Sequence, residues 1–95
     1  MKHPNKDRIR LRLRGRVQGV GFRWTAVQRA RELRVDGWVR NLPDGSVEVE
    51  AEGEAEQVAR FRGWLQRGPS GAVVQEVEEL PAGTDVLMEF EIRRA

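Results

Sequence analysis

Residues 8–23 read Arg8-Ile9-Arg10-Leu11-Arg12-Leu13-Arg14-Gly15-Arg16-Val17-Gln18-Gly19-Val20-Gly21-Phe22-Arg23. Ile9, Leu11, Leu13 and Val17 fall on one face, and Arg8, Arg10, Arg12, Arg14 and Arg16 on the other. A period of two predicts a strand with one buried face. Glycines at 15, 19 and 21 then break the pattern into a loop. From Phe22 the spacing changes: Phe22, Ala26, Ala30 and Leu33, with Val27 alongside, predict a helix over residues 22–34. The chain therefore opens as strand, glycine loop, helix.

Working outward, Asp36 to Leu42 reads as a second strand and Pro43-Asp44-Gly45 as a turn. Ser46 to Glu52 alternates again, with Val47, Val49 and Ala51 opposite Glu48, Glu50 and Glu52, which completes a hairpin. Glu54 and Glu56 open a second helix, where carboxylates favour the positive end of the dipole. Its apolar stripe is Ala55, Val58, Phe61 and Leu65, and Gly68-Pro69 ends it. Ala72 to Leu80 is strand-like. After the break at Pro81-Ala82-Gly83, Met88, Phe90 and Ile92 alternate with Glu89, Glu91 and Arg93 in a short last strand. The order is βαββαβ with one additional short C-terminal strand. It predicts a ferredoxin-like α+β sandwich, an antiparallel sheet covered on one face by two helices and open to water on the other. Residues 8–95 form this single domain and residues 1–7 a disordered tail.

The 95 residues suffice for one small core. With no cysteine, the chain has no disulfide framework, thiolate metal site or cysteine nucleophile. No apolar run approaches the roughly 20 residues of a membrane span, and the polar first residues predict no secretory signal. The expectation is a soluble, cytoplasmic protein that keeps clear of membranes. Residues 1–45 carry 12 basic and 4 acidic side chains, a net +8, and residues 46–95 carry 5 and 11, a net −6. A basic half suits nucleic acid, but the topology supplies another reading. The first strand lies between the third and the fourth, so its arginines face Glu48, Glu50 and Glu52 on one side and Glu76, Glu78 and Glu79 on the other. RNA-reading sheets of this topology carry stacking aromatics where this chain has Arg and Glu. No nucleic-acid partner is expected.

Chemistry is left to the loop. Closely spaced glycines turn successive backbone N–H groups toward one point, and a helix N-terminus adds positive potential there, which suits a phosphate-sized anion. The Gly-Lys-Ser/Thr of a nucleotide-binding P-loop is missing. Arg23 opposes the helix dipole by roughly 0.3–1 kcal/mol. It reads either as a solvated surface arginine or as the partner of a bound anion, and spacing leaves both open. Asn41 reads either as a local turn-bonding residue or as a neutral group that holds a water. His3 is the one histidine, in the tail, and tyrosine is absent. An enzyme built on this inventory must act by positioning and by stabilising phosphate charge. That suffices only for a leaving group that departs without protonation, such as the carboxylate of an acyl phosphate.

The runs Gly15 to Arg23, Gly37-Trp38-Val39-Arg40-Asn41 and Pro43-Asp44-Gly45-Ser46-Val47-Glu48, with Gly68 to Val74 further on, closely resemble the acylphosphatase family. The likeness spans about Arg8 to Arg93. It implies hydrolysis of the carboxyl–phosphate bond of acyl phosphates to a carboxylate and inorganic phosphate, without a metal or other cofactor. Residue by residue, it implies that Arg23 grips the phosphoryl oxygens together with backbone amides of Gln18, Gly19, Val20, Gly21, Phe22 and Arg23. Asn41 would orient the attacking water, with the substrate phosphate assisting its deprotonation. A non-catalytic phosphate-binding module on the same fold is the alternative. The family usually has glycine where this chain has Arg34, which predicts a strained helix cap. Trp24 reads either as packing beneath the loop or as a substrate contact, and the habitual burial of large aromatics favours packing. Nothing in the sequence outlines an acyl pocket, which predicts broad acceptance of acyl groups. A chain that ends at Ala95 without a partner domain reads as a free-standing enzyme; a monomer is expected, with the last strand as the edge through which copies could pair.

Overall fold

Alternation and helical spacing produce seven elements in the computed structural model, which describes residues 5–94. They are β1 (Lys6–Arg16), α1 (Phe22–Glu32), β2 (Asp36–Asn41), β3 (Val47–Glu54), α2 (Ala55–Leu65), β4 (Val73–Leu80) and β5 (Glu91–Ile92). The sheet order is β4-β1-β3-β2-β5, with β1 between β3 and β4 as the sequence predicts. One face packs on the helices. Ile9, Leu11, Leu13, Val39, Val47 and Val49 meet Phe22, Ala26 and Ala30 of α1 and Val58, Phe61 and Leu65 of α2. Burying each large side chain fully is worth about 1.5–3 kcal/mol. No helix among the described residues is long and apolar enough to cross a membrane.

The sheet is mixed, not wholly antiparallel: β5 runs parallel to β2. The cause lies in residues 81–90. Strands β4 and β5 occupy opposite edges, so the connection between them must cross a face of the sheet. It crosses the charged one. Gly83 N donates to Glu50 Oε2 (2.6 Å), Arg8 donates to the Asp85 carbonyl and carboxylate (2.6 and 2.8 Å), and Gly37 N donates to the Met88 carbonyl (3.0 Å). The face expected to be open to water is therefore strapped, and Glu48 and Glu50 are 2% exposed. Their partners are arginines reached diagonally or directly across the sheet. Arg8 Nε meets Glu50 (2.8 Å), Arg10 meets Glu48 (2.9 Å), and Arg40 bonds Glu48 through Nε (2.8 Å) and Nη2 (2.6 Å). Arg12 and Arg14 lie 4.0 and 3.6 Å from Glu78. Glu79 is a correction: it stands opposite Leu11 and pairs with Arg62 of α2, on the helical side. The face also carries an aromatic the sequence reading did not place there. Trp38, 4% exposed, lies beneath the guanidinium groups of Arg10, Arg40 and Arg93 at 5.0–5.5 Å. Each such contact is worth about 0.5–2 kcal/mol, and together they close the ring to stacking by a base.

Other boundaries move. Of the tail expected over residues 1–7, the first four, His3 among them, lie outside the described residues. Lys6 and Asp7 pair with Glu54 and Gly53, so β1 starts before Arg8. In the last alternating stretch only Phe90 is buried; Met88 and Ile92 are exposed, and pairing is limited to two residues and a bridge from Glu89 to Asp36.

Helix α1 ends at Glu32, two residues before the expected Arg34, because Arg34 leaves the helical region with φ 58°. Val35 N donates to the Ala30 carbonyl (2.9 Å), which makes this a Schellman cap with arginine in the position that favours glycine. Left-handed backbone costs a side-chain-bearing residue roughly 1–2 kcal/mol, and glycine loses about 0.5–1 kcal/mol more entropy on folding. Arg34→Gly should therefore stabilise the protein by about 0.5–1 kcal/mol, read as a higher urea midpoint at unchanged slope.

Candidate active site

Val17 and Phe22, both buried, pin the two ends of the 18–21 loop to the core. Phe22 packs on Trp64 with ring centroids 5.6 Å apart. Between the pins, Gly19 and Gly21 adopt φ 77° and 76°, a backbone that side chains disfavour. Alternating left-handed glycines turn neighbouring N–H groups to one side, and the space a Cβ would take at either glycine is open. Gly21 caps α1 without a side-chain bond, and the first turn contains no acid. The first intrahelical bond is donated by Thr25 to Gly21 (3.0 Å), so the N–H groups of Phe22, Arg23 and Trp24 have no helical acceptor. Arg23 stands exposed on that turn and joins none of the ion pairs among the described residues. Donors and a cation converge without a counter-charge. That arrangement suits a dianionic phosphoryl group.

Asn41 ends β2 on the core side, next to Val39 rather than with Trp38 and Arg40. It lines the same cleft as the loop, about 170 Å³ in volume, together with Gln18, Gly19, Gly21 and Arg23. Its Oδ1 is buried and has no hydrogen-bond partner among the described residues. A buried carbonyl oxygen left unpaired costs about 1–3 kcal/mol. The turn does not use it: Asp44 holds Ser46 N (3.0 Å) and Ser46 Oγ, and Leu42 N donates to the Ser46 carbonyl (2.9 Å). Those bonds hold the Asp44 carboxyl below its usual range.

The sequence reading missed how the halves are joined. Gln18 Nε2 donates to the carbonyls of Leu42 and Ser46, both at 2.9 Å, which ties the loop to the hairpin carrying Asn41. Its side chain is thus a latch between the loop and the hairpin. Trp24 is a correction. Phe22 takes the place beneath the loop, and Trp24 is 64% exposed at the rim of the cleft with Ile92. Among the described residues, no group of three His, Cys, Asp or Glu lies close enough together to hold a metal ion.

The acylphosphatase family model matches residues 9–92. A curated acylphosphatase of Thermococcus kodakarensis is 53% identical over 81 residues, 82% of this chain and 89% of the relative. The acylphosphatase structure from Bacillus subtilis superposes with a TM-score of 0.84 at 31% identity, covering 90% of this chain and 97% of that one. The one from Coxiella burnetii gives 0.81 at 37% identity, covering 94% of each chain. The chain belongs to the acylphosphatase family. Its activity is hydrolysis of the carboxyl–phosphate bond of acyl phosphates, small-molecule substrates that yield a carboxylate and inorganic phosphate.

Proposed function

We propose that the cleft between the 18–21 loop and Asn41 is where this hydrolysis occurs, with Arg23 and Asn41 as its working pair and no metal required. The phosphoryl group lies on the backbone N–H groups of residues 18–23, with the Arg23 guanidinium bonding its oxygens in a bidentate fork. A water donates to Asn41 Oδ1 and is aimed at phosphorus. Its oxygen forms the new P–O bond as the bond to the acyl oxygen breaks. The electron pair leaves on the carboxylate, and the water's proton passes to a phosphoryl oxygen. Neither side chain is a base, and the low basicity of the leaving carboxylate removes the need for an acid. The observation that carries this reading is the buried, unpartnered Asn41 Oδ1 beside an unneutralised arginine and a glycine nest. The loop, Arg23 and Asn41 line one cleft of a single domain, so the site of the cytoplasmic, monomeric enzyme proposed here needs no residue from a second copy. The arginines of the sheet face bond carboxylates, which supports a small-molecule role over a nucleic-acid one.

The test is hydrolysis of benzoyl phosphate in excess EDTA, with Asn41→Ala beside the parent. We expect the parent rate to be unaffected by the chelator and kcat of the variant to fall about 100-fold, the scale of a misplaced nucleophile. Competitive inhibition by inorganic phosphate should persist in the variant. A variant at full rate would refute the water-holding role, and a chelator-sensitive parent the metal-free mechanism.

A further inference from the structure

The mechanism above leaves Trp24 without a role, although it is the largest exposed apolar side chain beside the cleft. An indole 64% exposed on the first turn of a helix has no packing reason to be there. Phe22, 2% exposed, already fills the place beneath the loop. Ile92, 44% exposed at the end of β5, lines the same cleft from the other side. Over the buried Val17 and Phe22, the cleft therefore presents a polar side of Gly19, Gly21, Arg23 and Asn41 and an exposed apolar rim of Trp24 and Ile92. An acyl phosphate divides the same way, into a charged phosphoryl head and an organic tail.

We propose that Trp24 and Ile92 are the acyl-group contact of this enzyme and bias it toward acyl phosphates with aromatic or bulky apolar acyl groups. The inference rests on the phosphoryl group lying at Arg23: Trp24 is the next residue on the same helical turn, so an organic tail bound to that head passes beside the indole. At about 170 Å³ the cleft falls below the 300–1,000 Å³ typical of pockets that enclose a whole organic ligand. The acyl group is stacked on the rim and not enclosed by it. One-sided stacking gives a graded preference, so small acyl phosphates remain substrates and larger apolar ones are bound more tightly.

The experiment compares kcat/KM for benzoyl phosphate and acetyl phosphate in the parent, Trp24→Ala, Trp24→Phe, Ile92→Ala and Arg23→Ala. Trp24→Ala should lower the benzoyl-to-acetyl ratio about three- to tenfold, the scale of one aromatic contact, with the change in KM for benzoyl phosphate and not in kcat. Trp24→Phe should restore most of the ratio, and Ile92→Ala should lower it in the same direction by less. A ratio that stays within about twofold of the parent in Trp24→Ala, less than one aromatic contact supplies, overturns the proposal. Arg23→Ala separates the two levels. If it depresses both substrates together, the phosphate site stands and the ratio alone judges the rim. If acetyl phosphate turnover survives it, the phosphoryl group lies elsewhere and both readings fall.

Discussion

Arg23→Ala is expected to lower kcat/KM for any acyl phosphate by about 100- to 1,000-fold, the scale of removing a charged group aimed at the transition state. The same change should leave the fold slightly more stable. Arg23 is exposed on the first turn of α1, where a cation opposes the helix dipole by roughly 0.3–1 kcal/mol, and it supports no ion pair among the described residues. Activity and stability therefore move in opposite directions, which a structural arginine would not produce. Arg23→Lys keeps the charge but loses the planar fork, and its rate should fall between those of Ala and the parent. Paired rate assays and urea unfolding read the prediction directly. A variant that loses stability along with activity would reassign Arg23 to the fold.

The second large effect lies away from the site. Glu48 is 2% exposed and accepts from Arg10 and Arg40 at 2.6–2.9 Å. Removing one member of a buried pair costs about 3–5 kcal/mol, because the partners are left without a counter-charge. Arg10 and Arg40 retain 29% exposure, which lets water soften the loss, so the lower end, about 3 kcal/mol, is expected for Glu48→Ala. Calorimetry should show Tm falling by at least about 12 °C. The pH dependence has a definite sign. Burial pushes the Glu48 carboxyl up, but the hydrogen bonds from Arg40 and Arg10 and their charges outweigh it, and its pKa lies below the usual value. Its stabilisation is therefore complete above the unfolded glutamate pKa of about 4.3 and is lost as pH falls through the lower, folded value. Glu48→Ala should flatten that acid limb of the stability curve.

Much of this molecule is legible in its sequence because the informative patterns are local. The alternation from Arg8 to Val17, the change of period at Phe22 and the Pro43-Asp44-Gly45 turn each determine their element within a few residues. With the glycine loop and Asn41 they also mark the end of the domain that carries the proposed site. What was not legible depends on approaches between distant segments. The Gln18 side chain is an ordinary amide until the 42–46 turn brings two carbonyls within 2.9 Å of it. Trp24 reads as core because tryptophan usually is, yet Phe22 had already filled the space that it would need. The charged face reads as open because nothing in residues 81–90 announces that the last strand joins the far edge. Trp38 alternates onto that face beside Arg40, and only the strap and the Arg93 that follows β5 seal it.

The interleaving of β1 also sets a schedule. Arg8 finds Glu50 at a separation of 42 residues and Asp85 at 77. During synthesis the N-terminal half, net +8 over residues 1–45, emerges with none of those carboxylates yet made. On the ribosome it is a polycation beside a polyanion, and β1 cannot gain its second neighbour until residues 73–80 have emerged. Pairing across such separations makes folding slower than that of a helical bundle, whose contacts are local.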